Sequence, residues 1–208
     1  MNTAISAPTL LTSAIALFTI ANPIGSLPIF LNLTKGFEAQ RQRRIGIYVG
    51  IAVFAVLTVS LLLGKLILEG FGIDLTSFRI GGNLLVASIG WAMLTAKANI
   101  VTVTDEQSPV VVPLAIPIIA GPGAISLVIT FAENYPGPIQ LAEGVGMVAA
   151  VSLVIAVALY FAPEVAKVVK PTGMSIVTRI FGLLLLSIAV QSILGALGDA
   201  FPVLMQTS

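Results

Sequence analysis

Residues 8–33 read PTLLTSAIALFTIANPIGSLPIFLNL, an apolar run long enough to cross a bilayer and interrupted near its centre by Asn22-Pro23. About 20 helical residues, at 1.5 Å each, span a hydrocarbon layer of ~30 Å. A proline inside such a helix removes an amide donor and clashes with the carbonyl one turn back, at about 3 kcal/mol. Each backbone group left unpaired in hydrocarbon costs several kcal/mol more. Asn-Pro is also a helix-start signal, with Asn as N-cap and Pro at the first helical position. The stretch therefore predicts two half-helices that meet inside the membrane.

Apolar segments recur along the rest of the chain, at about Ile45–Leu68, Arg79–Leu94, Val110–Phe131, Leu141–Phe161 and Ile176–Leu197. They lack the ~10-residue in/out alternation of an outer-membrane barrel and read as helices. Of 208 residues, 57% are hydrophobic and 9% charged, with a mean hydropathy of +1.08. Soluble domains carry roughly 25% charged residues. The prediction is an all-α integral membrane protein with six transmembrane helices in a single membrane domain.

Composition excludes several chemistries. There is no cysteine and no histidine, which removes disulfides, thiol nucleophiles, zinc sites and imidazole catalysis. A net charge of +1 argues against a nucleic-acid partner. Glu69, Asp74, Glu133, Glu143 and Asp199 all fall at span ends or in loops, so no carboxylate relay crosses the membrane. Ser60 with Lys65 is a weak candidate for hydrolysis. We expect no enzyme, no metal and no cofactor. The expected partners are the lipid bilayer and a small-molecule substrate, with homo-oligomerisation left open.

Basic residues set orientation. Lys35, Arg41, Arg43, Arg44, Lys97, Lys167, Lys170 and Arg179 lie in the odd-numbered loops, against Lys65 and Arg79 on the other side. Eight against two puts the odd loops in the cytoplasm and both chain ends outside. The start, Met1–Leu11, has no basic residue ahead of its apolar stretch, so the first segment is expected to be a retained span.

The second half repeats the first. Arg79-Ile80-Gly81-Gly82-Asn83-Leu84-Leu85 matches Arg179-Ile180-Phe181-Gly182-Leu183-Leu184-Leu185 at an offset of 100. Ala21-Asn22-Pro23-Ile24-Gly25 faces Ala120-Gly121-Pro122-Gly123-Ala124 at an offset of 99. Repeat one covers about 8–95, a polar linker about 96–109, and repeat two about 110–198. Each half has three spans, so the second enters from the opposite side, as in the inverted repeats of secondary transporters. Helices one and four are thus both broken at mid-membrane.

At each break the second half-helix begins with free N–H groups and about half a positive charge. Such ends favour a carboxylate or another small anion. The candidate substrate-binding residues are Asn22, Pro23, Gly25 and Ser26 at the first break and Gly121, Pro122, Gly123 and Ser126 at the second. The alternative is that Pro and Gly only kink these helices for packing. Arg79 and Arg179 are candidates for gating or helix capping, against simple snorkelling to the interface. Pro28, Pro113 and Pro117 shape the half-helices, Gly46 and Gly50 read as close packing, and Tyr48 and Trp91 as interfacial or packing aromatics.

With Asn22-Pro23-Ile24-Gly25-Ser26-Leu27-Pro28, Phe78-Arg79-Ile80-Gly81-Gly82, Val112-Pro113-Leu114-Ala115-Ile116-Pro117 through Gly121-Pro122-Gly123-Ala124-Ile125-Ser126, and Thr178-Arg179-Ile180-Phe181-Gly182, the chain resembles the MarC (UPF0056-like) family of prokaryotic multi-pass membrane proteins over nearly its whole length. The resemblance implies an inner-membrane location. It also implies kinship with exporters of the LysE type and with transporters of small neutral amino acids such as glycine and alanine.

Overall fold

The computed structural model describes residues 5–95, 119–168 and 171–201, and every regular element among them is a helix. In chain order these are α1 (Ala7–Ala21), α2 (Pro23–Leu33), α3 (Ala39–Gly70), α4 (Leu75–Leu94), α5 (Pro122–Asn134), α6 (Pro138–Tyr160), α7 (Ala162–Val168) and α8 (Pro171–Ala200). The first predicted span is split at Asn22 into α1 and α2, as Asn-Pro requires. The predicted linker, with Lys97, and the start of the fourth span, with Pro113 and Pro117, lie outside the described residues.

Four stretches have the length and composition to cross a membrane: Ala7–Leu33, Ala39–Gly70, Pro138–Lys167 and Ile176–Ala200. The third predicted span, α4, has 20 residues but is diluted by Thr76, Ser77, Arg79 and Asn83, and is not among the four. Its start is set by Asp74, whose carboxylate accepts the Ser77 N–H at 2.7 Å and the Ser77 hydroxyl at 2.6 Å. Helix α6 opens on Pro138, and the Gly137 N–H ahead of it donates to Gln140 Oε1 at 3.0 Å. Glycines with positive φ, Gly36 and Gly72, turn the chain between α2 and α3 and between α3 and α4.

The core is drawn from α1, α2, α3, α5 and α6, with Leu17, Phe30, Val49, Val53, Leu57, Val128, Val148 and Ile155 shut off from solvent. Leu62, Leu66, Leu153, Leu183 and Leu194 point outward and are exposed. Apolar side chains on both the inner and outer faces of long helices fit a lipid environment.

Small residues bring the helices together. A Cβ at Gly50 would lie 2.4 Å from Ala156 Cβ, and one at Gly46 would lie 2.9 Å from the Leu159 carbonyl carbon. Gly46 and Gly50 are therefore the packing pair that their spacing predicts. Helices α4 and α8 cross at Gly90 and Gly182, where a Cβ on either would come within 2.9 Å of the other's carbonyl oxygen.

Several helix contacts among the described residues recur when the first three segments are exchanged for the last three. Helix α3 lies on α6 and α4 on α8; α3 touches α5 as α6 touches α1 and α2; α4 touches α5 as α8 touches α2. The exchange reaches single residues. Gly46 abuts Leu159 and Gly144 abuts Leu61, and a shift of 98 positions carries one glycine and one leucine onto the other.

Polar ties link the helix ends. Arg43 pairs with Glu164, Lys65 with Glu133 at 3.0 Å, and Arg79 with Asp199 at 2.7 Å, while the Ile5 N–H donates to Glu143 at 2.9 Å. Exposed pairs of this kind contribute little to stability. Their value is positional. Each joins two segments distant in sequence.

Candidate functional site

Asn22 is the only non-glycine residue with positive φ among the described residues, at φ 43° and ψ 62°. An ordinary L-residue costs about 1–2 kcal/mol there, whereas Asn tolerates it because its short amide bonds locally. Three hydrogen bonds hold it. Its N–H donates to the Phe18 carbonyl at 3.0 Å and closes α1. Its carbonyl accepts the Ser26 N–H at 3.1 Å, and its side-chain Oδ1 accepts the Gly25 N–H at 3.0 Å, opening α2. Pro23 takes the first helical position, where a missing N–H is harmless. One residue thus ends one helix and starts the next.

Gly25 makes room for this. A Cβ there would stand 2.3 Å from Asn22 Nδ2. Ser26 is buried, and its hydroxyl donates to the Pro23 carbonyl at 2.8 Å. The first break is therefore closed by its own side chains.

The second break is built differently. Gly121, buried and extended at φ −74° and ψ 175°, precedes Pro122 at the first position of α5 and supplies no side-chain cap. The Gly121 carbonyl accepts the Ile125 N–H at 2.9 Å. Ser126 is 5% exposed, and its hydroxyl has no hydrogen-bond partner among the described residues. In hydrocarbon surroundings an unpaired buried polar group is costly.

The two breaks meet. A Cβ at Gly123 would lie 3.0 Å from Ile20 Cγ2, so the first turn of α5 packs on the last turn of α1, two residues before Asn22. On another side, a Cβ at Gly82 of α4 would lie 2.3 Å from Pro122 Cγ. The predicted residues Asn22, Pro23, Gly25, Ser26, Gly121, Pro122, Gly123 and Ser126 thus fall on two neighbouring breaks, six of them buried and Asn22 and Gly123 half-buried.

The two arginines part company. Arg79 is tied to Asp199, joining the start of α4 to the end of α8. Arg179 is exposed and makes no ion pair among the described residues. In the repeat Gly82 matches Gly182, whereas Asn83 faces Leu183. In the structure Gly82 seats Pro122, and Asn83 is 4% exposed with its Nδ2 donating to the Arg79 carbonyl at 2.7 Å. An amide inside an apolar helix was the available signal.

Comparison with known proteins finds a family of integral membrane proteins. The profile of a family described as "MarC family integral membrane protein" matches residues 7–201. The chain is 33% identical over 203 residues to the UPF0056 membrane protein YhcE of Escherichia coli, covering 92% of this chain and 93% of that one. It is 36% identical over 200 residues to the UPF0056 membrane protein BU267 of Buchnera aphidicola, covering 92% and 93%. An archaeal relative, the UPF0056 membrane protein PH0760 of Pyrococcus horikoshii, is 33% identical over 190 residues, covering 89% and 92%. No solved structure matches the chain.

Proposed function

This chain belongs to the MarC family of integral membrane proteins, and from that premise we propose that it is a secondary transporter or exporter of small neutral amino acids, alanine or glycine among them. The observation that carries the proposal is the meeting of two helix breaks, Asn22-Pro23 against Gly121-Pro122, through Ile20 and Gly123. Transporters bind substrate at discontinuous helices, where half-helix ends supply charge without a buried ionised side chain. Small residues around both breaks suit a small side chain.

The exchange of Gly46·Leu159 for Gly144·Leu61, and the matching helix contacts, support two inverted three-helix repeats related by a pseudo-two-fold axis. The ties at the helix ends support a six-crossing path with both termini on one face, which the basic loops put outside a prokaryotic inner membrane.

Exchange of labelled alanine by the purified protein in proteoliposomes tests the proposal. Asn22→Ala and Gly121→Leu are expected to abolish flux while the protein still inserts. Unchanged flux in both would remove the breaks from any transport path and leave them as packing devices of a structural membrane protein.

A further inference from the structure

Resting on the transport reading above, the two breaks are unlike in a way that says how a substrate lies between them. At the first, the N-terminal end of α2 is already occupied, because Asn22 Oδ1 takes the Gly25 N–H. What the first break leaves over is the opposite end, the carbonyls that close α1. The Thr19 carbonyl loses its helical partner because the residue four ahead is Pro23, which has no N–H. The Gly25 N–H, four ahead of Ala21, is turned to the Asn22 side chain. This end carries about half a negative charge.

At the second break the reverse end is open. Helix α5 starts on a glycine with no side-chain cap, and its first turn carries the positive half-charge. Ser126 lies one turn in, and its Cα–Cβ bond tilts back toward that first turn, as in every α-helix. The residue is 95% buried and its hydroxyl is unpartnered among the described residues, a free donor one turn from the start of α5. The contact of Ile20 with Gly123 places the negative end of α1 beside the positive end of α5.

We infer that this pair of opposed helix ends recognises a zwitterion in one orientation. The first turn of α5 and Ser126 Oγ take the carboxylate, and the terminal carbonyls of α1 take the ammonium. Asn22 sets the backbone and does not touch the ligand. A lone anion would meet the α1 carbonyls uncompensated, and a lone amine would meet the α5 amides.

Thermal stabilisation of the purified protein by alanine, propionate and ethylamine, with wild type and Ser126→Ala, tests this through ligand linkage. Alanine is expected to stabilise the wild type while propionate and ethylamine do not. Ser126→Ala is expected to weaken alanine by about tenfold or more, since a hydrogen bond to a charged group is lost. Its unliganded melting temperature, compared with wild type, shows whether it is folded, and Ser126→Thr, which keeps the hydroxyl, should restore most of the affinity. Propionate binding as well as alanine would overturn the inference and leave transport standing. So would alanine affinity unchanged in Ser126→Ala. Failure of every amino acid to bind or move would overturn the transport reading along with it.

Discussion

The two breaks start from the same sequence signal, a proline at the first position of a half-helix, and solve it in opposite ways. At Asn22 a left-handed residue folds its own amide onto the Gly25 N–H. At Gly121 the residue has no side chain to fold and gives the helix start no cap. A capped end is satisfied from within; on the function proposed here, the end without a cap is the one open to substrate. The residue before proline decides which of the two a break becomes.

The largest effect should come from closing the room that Gly25 leaves. Gly25→Val drives its Cβ into Asn22 Nδ2, and overpacking plus loss of the cap costs about 2–4 kcal/mol. Little folded protein should be recovered by size-exclusion chromatography in detergent. Recovery at the wild-type level would mean that the Asn22 cap is dispensable.

Asn22→Gly should do far less than Asn22→Ala. Glycine keeps the left-handed backbone, so only the cap is lost, whereas Ala adds about 1–2 kcal/mol of backbone strain. Equal losses in the two would show that the backbone at residue 22 is not strained.

At the second break the comparison runs the other way. Gly121→Ser supplies the missing cap, which is worth a few tenths of a kcal/mol at a helix start. Melting temperature should hold or rise slightly while alanine exchange falls. A variant that is both stable and fully active would show that the open end is not used.

The smallest effect is a control in water. Asp74 caps α4 at its start, and its carboxyl is held below the ordinary range by the Ser77 hydroxyl and then by the Ser77 N–H. A depressed carboxylate stabilises above its unfolded pKa and loses that contribution as pH falls through the folded one. The melting-temperature gap between wild type and Asp74→Ala should therefore be widest above the ordinary Asp range, from about pH 5 upward, and narrow as pH falls below about 4. A gap independent of pH would remove the charge from the cap.

Much of this was legible in the chain. Asn-Pro in an apolar run fixes where α1 ends, and Gly46 with Gly50 fixes a close helix contact, because both signals are local. The self-capping of Asn22 was not legible. Its amide has the chemistry of a ligand as well as of a cap, and only the placement of Gly25 three residues on decides between them. Nor did the repeat reveal that Arg79 finds Asp199 while Arg179 stays exposed, since repeated sequence does not oblige the two ends of a bundle to have the same neighbours. Seating of Pro122 on Gly82 depends on packing between distant segments, which no local spacing encodes.

Because the chain has no cysteine, a pair placed at Ile20 and Gly123 can be read without background. In Ile20→Cys/Gly123→Cys the two sulfurs should join on mild oxidation, stopping alanine exchange in proteoliposomes, and flux should return on reduction. Absence of the cross-link, or undiminished flux through the linked protein, would contradict the claim that the two breaks meet and that substrate passes between them.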